Sequence, residues 1–129
     1  EAAKTGKSPQ LAQILANKGV ITPEDVGQAG SGGNVASNAI IKLSGRLIGQ
    51  MLASAVNFFN PSHVFIGGGV SHIGPLFLAA IRQSVYQRSL ALSTRHLEIL
   101  YAPLGDRAGV KGCAAMALHE TMQVRGVLP

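Results

Sequence analysis

The run Val64-Phe65-Ile66 passes directly into Gly67-Gly68-Gly69, and this junction constrains the fold more than any other part of the chain. Three consecutive β-forming residues without polar alternation are the pattern of a strand covered on both faces. Asn60-Pro61 stands just upstream, where proline restricts the residue before it and cannot carry a helical hydrogen bond, so a preceding helix must end there. Downstream, Ile73, Phe77, Ile81 and Val85 recur at helical spacing over about fifteen residues, with Arg82 and Arg88 toward the wetter side. Residues 57–74 therefore read as a glycine-rich turn at the carboxyl end of a buried β-strand, clamped between two helices of an α/β domain.

The segments on either side fit that frame. Ser8 is placed to cap a short helix with Pro9 at its first position and Leu11, Ile14 and Leu15 on its inner line, stopped by Gly19. Thr22-Pro23-Glu24-Asp25 carries the signature of a second helix start, with Thr22 and Asp25 as a capping box. Residues 28–33 read as a break. The longest helix is predicted over 34–59, its apolar face made by Leu43, Leu47, Met51, Ala55 and Phe59 and widened by Ile40, Ile48, Leu52 and Val56. Gly45, Gly49 and Ala53 stand on a neighbouring line; glycine inside a helix costs about 1 kcal/mol against alanine, so this line reads either as close packing or as tolerance. After the central helix, a loop over 89–94 leads to a strand over 97–101, closed by Pro103 and Gly105. Asp106 can cap a last helix over about 108–124, with Val110, Ala114, Ala117, Leu118 and Thr121 on one side. Strand, helix, strand in this order implies two parallel strands. Two strands leave edges that need partners, so the chain is expected to be the terminal part of a larger α/β domain or to complete its sheet by association.

With 129 residues the chain has one domain's worth of length, and its 47% apolar content is enough for a packed core. Its charged fraction of 13% is low beside the usual level of about a quarter, so either much of its surface is covered by something else or the piece was cut from a larger body. Lys42, Arg46 and glycine turns interrupt the apolar segments, so no membrane span is expected. The first residue is Glu1, no leader pattern precedes the first helix, and one cysteine, Cys113, excludes an internal disulfide framework; the expectation is a cytoplasmic protein. The +5 net charge is carried by scattered residues (Lys4, Lys7, Lys18, Lys42, Arg46, Arg82, Arg88, Arg95, Arg107, Lys111 and Arg125) with no basic stripe interleaved with aromatics, so it reads as ordinary solvated surface.

The glycine turn is the main site candidate, because backbone without Cβ atoms admits a ligand closely and ligands settle at the carboxyl ends of parallel strands. It is neither a dinucleotide fingerprint, since Leu90 stands near the point where a ribose-binding acid is needed, nor a P-loop, since Pro75 follows Gly74 where lysine is required. A tight structural turn remains the alternative reading. His63, His72, His96 and His119 match no metal-ligand spacing, and Cys113 beside Ala114 and Ala115 reads as a small packing residue. Asp106 beside Arg107 is explained by capping. Glu98 and Glu120 have no carboxylate partner, and no serine has a nucleophile-elbow setting, so neither paired-acid nor serine catalysis is indicated.

Three segments, Ala55-Val56-Asn57-Phe58-Phe59-Asn60-Pro61, Val64-Phe65-Ile66-Gly67-Gly68-Gly69-Val70-Ser71 and Leu104-Gly105-Asp106-Arg107-Ala108-Gly109-Val110-Lys111-Gly112, together resemble the carboxyl-terminal half of the ROK family of sugar kinases and sugar-responsive repressors. The resemblance covers nearly the whole chain. It implies the carboxyl-terminal part of an actin-like ATPase domain, of the ribonuclease H-like, hexokinase type, over residues 1–129, with the amino-terminal half absent. For Gly67, Gly68, Gly69 and Val70 it implies the adenosine side of the ATP cleft of kinase members. It further implies that the phosphate-binding turns, sugar-binding carboxylates, catalytic aspartate and zinc-binding cysteines lie upstream of Glu1. The fragment itself then holds no cofactor and no catalytic residue. A kinase parent would use ATP and magnesium; a repressor parent would bind DNA through a missing amino-terminal module and respond to a sugar as a homodimer or larger homo-oligomer. The run from Tyr86 to Arg95 is more similar to repressor members, which places the regulator ahead of the kinase, with an oligomerisation piece that binds no nucleotide as a third reading.

Overall fold

Local capping chemistry sets the first half of the molecule. In the computed structural model, which describes residues 8–125 and within them leaves out the side chains of Asp106 and of residues 123–125, the first helix α1 runs Pro9–Lys18. Its Ser8 hydroxyl accepts from the Leu11 amide at 3.3 Å, and Gly19 closes it in the left-handed conformation with φ 71°. The second helix α2, Pro23–Ser31, opens on the expected capping box: the Thr22 hydroxyl accepts from the Asp25 amide at 3.3 Å while the Asp25 carboxylate accepts from the Thr22 amide at 2.9 Å. Residues 28–31 are helical rather than a break, and the chain turns only at Gly32 and Gly33. Gly30 lies against the Ile41 side chain, so the helix continues through glycine where close packing offsets its low propensity.

Asn34 caps the long helix α3, Val35–Phe59, by accepting from the Ser37 amide at 2.9 Å, and Asn60 ends it with φ 47°. Its buried residues are Ser37, Ile41, Gly45, Gly49, Ala53 and Val56. Of the predicted apolar face only one flank packs: Val56 is in the core with Ile48 and Leu52 against it, whereas Leu43, Leu47 and Met51 are 49%, 55% and 68% exposed. Close approach decides this. A Cβ on Gly45 would fall 2.5 Å from the Ala80 Cβ, and one on Gly49 would fall 2.5 Å from the Ser84 Cβ, so the small-residue line lets the two helix backbones meet where a leucine line would hold them apart. By length and composition α3 could cross a membrane, with a mean hydropathy of 1.2 over its most apolar window.

The strand β1, His63–Ile66, is followed by a 3₁₀ turn, Gly69–Ile73, and the helix α4, Pro75–Arg88. A short helix α5, Ala91–Thr94, stands where a loop was expected, because the Leu90 carbonyl accepts from the Ser93 and Thr94 amides. Then come β2, Glu98–Tyr101, a 3₁₀ turn, Gly105–Arg107, and the last helix α6, Ala108–Arg125. The strands pair in parallel, with His63 opposite Glu98 and Ile66 opposite Tyr101. Ile41, Val56, Phe77, Leu78, Ile81, Val85, Leu97 and Ile99 form the main core, with Val64, Ile66 and Tyr101 packed on it. Only one face of β1 meets that core: Val64 and Ile66 are half-buried, while His63 and Phe65 are exposed, which corrects the expectation of a strand covered on both sides.

Arg82 does not point to the wetter side. Its Nε and Nη2 both donate to the Ile99 carbonyl, at 2.8 and 2.5 Å, and the Tyr86 hydroxyl donates to the Leu97 carbonyl at 3.1 Å. In a parallel pair alternate residues address the partner strand; the Glu98 amide bonds the Ser62 carbonyl and the Ala102 amide bonds the Ile66 carbonyl, so the odd-numbered carbonyls of β2 face outward. Side chains of α4 thus close the outer edge of β2, and the outer edge of β1 is the open one. The last helix also departs from expectation. Residues 109–122 are exposed throughout, including Val110 at 75% and Met116 at 72%, and Cys113 is exposed rather than packed. Among the described residues α6 meets chiefly the 3₁₀ turn before it.

Candidate functional site

The glycine turn sits where both strands end. Gly67 lies beside Ala102, with 3.4 Å from a built Cβ to the Ala102 side chain, and Gly68 reverses the chain with φ 79°, a conformation that disfavours a side chain. The Ser71 hydroxyl donates to the Gly68 carbonyl at 2.7 Å and the Ser71 amide to the same oxygen at 3.0 Å, which winds the 3₁₀ turn. Gly74, with φ 97°, leads into α4, and its carbonyl accepts from the Tyr101 hydroxyl at 2.5 Å. Half-burial raises the Tyr101 pKa, so this donor stays protonated at neutral pH. From the other side Gly27 of α2 presses on the Ile73 backbone, leaving no room for a Cβ.

The turn is thus held by α2, β2 and α4, and sequence reasoning missed the three residues that hold it: Gly27, Ser71 and Tyr101. Only Gly27 carries a signal, as a glycine in the interior of a short capped helix. Gly69 has neither a positive φ nor a crowding neighbour, and open space lies over Gly68 and Gly69. Gly67, Gly68, Gly69 and Val70 are all exposed, so the four predicted site residues form one accessible backbone wall. Helix α4 begins with Pro75, which has no amide donor, and the Ser71 and Gly74 amides are used within the turn.

The remaining candidates do not join this wall. His63 lies on the open face of the sheet, with Nδ1 2.9 Å from the Ser62 hydroxyl and Nε2 3.9 Å from the Glu98 carboxylate, its ring stacked on Phe65. Glu98 therefore faces a histidine across the strands. His72 lies in the 3₁₀ turn, and His96 and His119 are exposed. Among the described residues no group of histidine, cysteine, aspartate and glutamate is arranged to hold a metal ion. Asp106 falls in the 3₁₀ turn before α6, and its capping role lies outside the described residues, as do Lys4 and Lys7.

The family model of the ROK family matches residues 9–120. The chain belongs to the ROK family. A xylose repressor of Caldicellulosiruptor bescii is 38% identical over 103 residues, 79% of this chain and 26% of the repressor. A glucokinase of Halalkalibacterium halodurans is 32% identical over 106 residues, 82% of this chain and 32% of the kinase. Among solved structures, a ROK-family transcriptional regulator, homologous to the Escherichia coli Mlc protein, superposes with a TM-score of 0.60 at 28% identity, over 67% of this chain and 22% of that one. The chain therefore spans about a quarter to a third of the length of such ROK relatives, and its α/β arrangement, with two parallel strands and α4 between them, is that of the actin-like ATPase fold.

Proposed function

We propose that the chain is the carboxyl-terminal part of a sugar-responsive ROK transcriptional regulator, with an ATP-dependent sugar kinase as the second reading. The observation that carries the choice is the higher identity to a xylose repressor, 38%, than to a glucokinase, 32%, over nearly the same length. The kinase reading draws on that same glucokinase likeness. In a kinase parent Gly67, Gly68, Gly69 and Val70 form the adenosine side of the ATP cleft. The open space over Gly68 and Gly69 fits the approach of a flat ring. Among the described residues no cluster of acids and histidines is arranged to hold magnesium, so in a kinase parent the phosphoryl chemistry falls to upstream residues, and the glycine wall positions the nucleotide.

Titration of the intact protein with ATP and with xylose, alongside a mobility-shift assay on its own upstream DNA, separates the readings. A regulator binds the DNA, releases it on adding sugar and shows no ATP-dependent phosphorylation of sugar. Sugar phosphorylation without DNA binding would establish the kinase instead. A protein that binds neither sugar, ATP nor DNA would leave the oligomerisation reading standing.

A further inference from the structure

We propose that the groove between α3 and α4 is an anion site that takes a phosphate monoester on Lys42 and Arg46. These two cations stand four apart on α3 and line the same two cavities, one of about 250 Å³ that includes Leu43 and one of about 160 Å³ that includes Gln83, Ser84 and Gln87 of α4. Gly45 and Gly49 let α4 approach α3 at Ala80 and Ser84, and Gln83 and Gln87 line the smaller cavity with the two cations.

The lining of the groove is cationic. Like charges at this helical spacing repel, and none of the acidic side chains described lines either cavity. Of the four acidic side chains described, Asp25 is held by Lys18 at 2.7 Å, Glu98 faces His63, and neither these nor Glu24 and Glu120 line either cavity. Arg82, by contrast, is spent on the Ile99 carbonyl. The Ser84 hydroxyl is also spent, on the Arg46 carbonyl at 2.9 Å, and so ties the Arg46 backbone to α4. The free donors are then an ammonium, a guanidinium fork and two amides, a set that matches a dianion with three terminal oxygens. Leu43 gives the organic part of the ester an apolar wall. None of Gly67, Gly68, Gly69 or Val70 lines either cavity, so the site is distinct from the glycine wall.

Calorimetric titration of the intact protein with glycerol 3-phosphate at low salt tests this. The expected result is saturable binding, competed by inorganic phosphate and not by glycerol. The double variant Lys42→Gln, Arg46→Gln loses affinity by about tenfold or more, the worth of one charge-assisted hydrogen bond, whereas Arg95→Gln, which removes an exposed cation outside both cavities, leaves it unchanged. Arg46→Lys, which keeps the charge and removes the fork, also weakens binding and guards against a folding defect in the double variant. Absence of saturable heat overturns the proposal, including the case in which a carboxylate of the same polypeptide already fills the groove. Undiminished binding by both variants overturns it as well.

Discussion

At Asp25 three donors converge on one buried carboxylate: the Lys18 ammonium at 2.7 Å, the Thr22 amide at 2.9 Å and the Thr22 hydroxyl at 2.8 Å. The Lys18 hydrogen bond first, and those from Thr22 after it, lower its pKa from 3.8 to about 2. A depressed folded-state pKa means stability that is fully present above 3.8 and is lost as pH falls through about 2. Unfolding midpoints measured from pH 5 to pH 2 should therefore decline, and Asp25→Asn should flatten that decline while lowering stability at neutral pH. Glycines separate in the same way by environment. Gly49→Val forces a side chain into Ser84 and the Ile81 carbonyl, and urea unfolding should show a loss of about 1–3 kcal/mol or more. Gly69→Ala enters open space and should change stability by no more than about 0.5 kcal/mol, so any loss of nucleotide binding in it reports on the glycine wall itself. The capping box and the glycine turn were legible in the sequence because each is written in consecutive residues. The Tyr101 and Gly27 contacts were not, since they join residues 27 and 46 positions apart from their partners Gly74 and Ile73 in the folded chain only.

Among the elements, α3 is the most instructive, because its length and ends followed from the sequence and its orientation did not. Periodicity marks two candidate stripes, one of leucine and methionine and one of glycine and alanine, and hydrophobicity alone selects the first. Packing selects the second, since α4 presents Ala80 and Ser84 at the matching height. The sheet shows a similar division. Strand order and parallel pairing followed from the strand, helix, strand pattern, but which edge is closed depends on Arg82 and Tyr86 reaching across from α4. Arg82→Met removes a charged donor from the part-buried Ile99 carbonyl and should cost about 1.5–3 kcal/mol in chemical denaturation, while Tyr86→Phe should cost about 1 kcal/mol.

For the whole molecule, the exposed Leu43, Leu47 and Met51 face of α3, the outer edge of β1 and the exposed α6 all lie on surface that the described residues do not cover. Such apolar area marks an interaction surface, in keeping with a chain that spans a quarter to a third of its ROK relatives. Prepared alone, the 129-residue chain is expected to self-associate with rising concentration in analytical ultracentrifugation, and Leu43→Gln, Leu47→Gln, Met51→Gln together should shift it toward monomer without lowering its unfolding midpoint. The sequence by itself determined where α1, α3 and α6 start and stop, that α2 opens on a capping box, where the strands lie and that glycine ends the first of them, because caps, proline and short β-forming runs act within a few residues. Only the tertiary structure decided which stripe of α3 is core, which edge of the sheet is closed and what holds the glycine turn in place. Those outcomes depend on how closely two backbones approach and which distant side chain meets a carbonyl, quantities set by the fold as a whole.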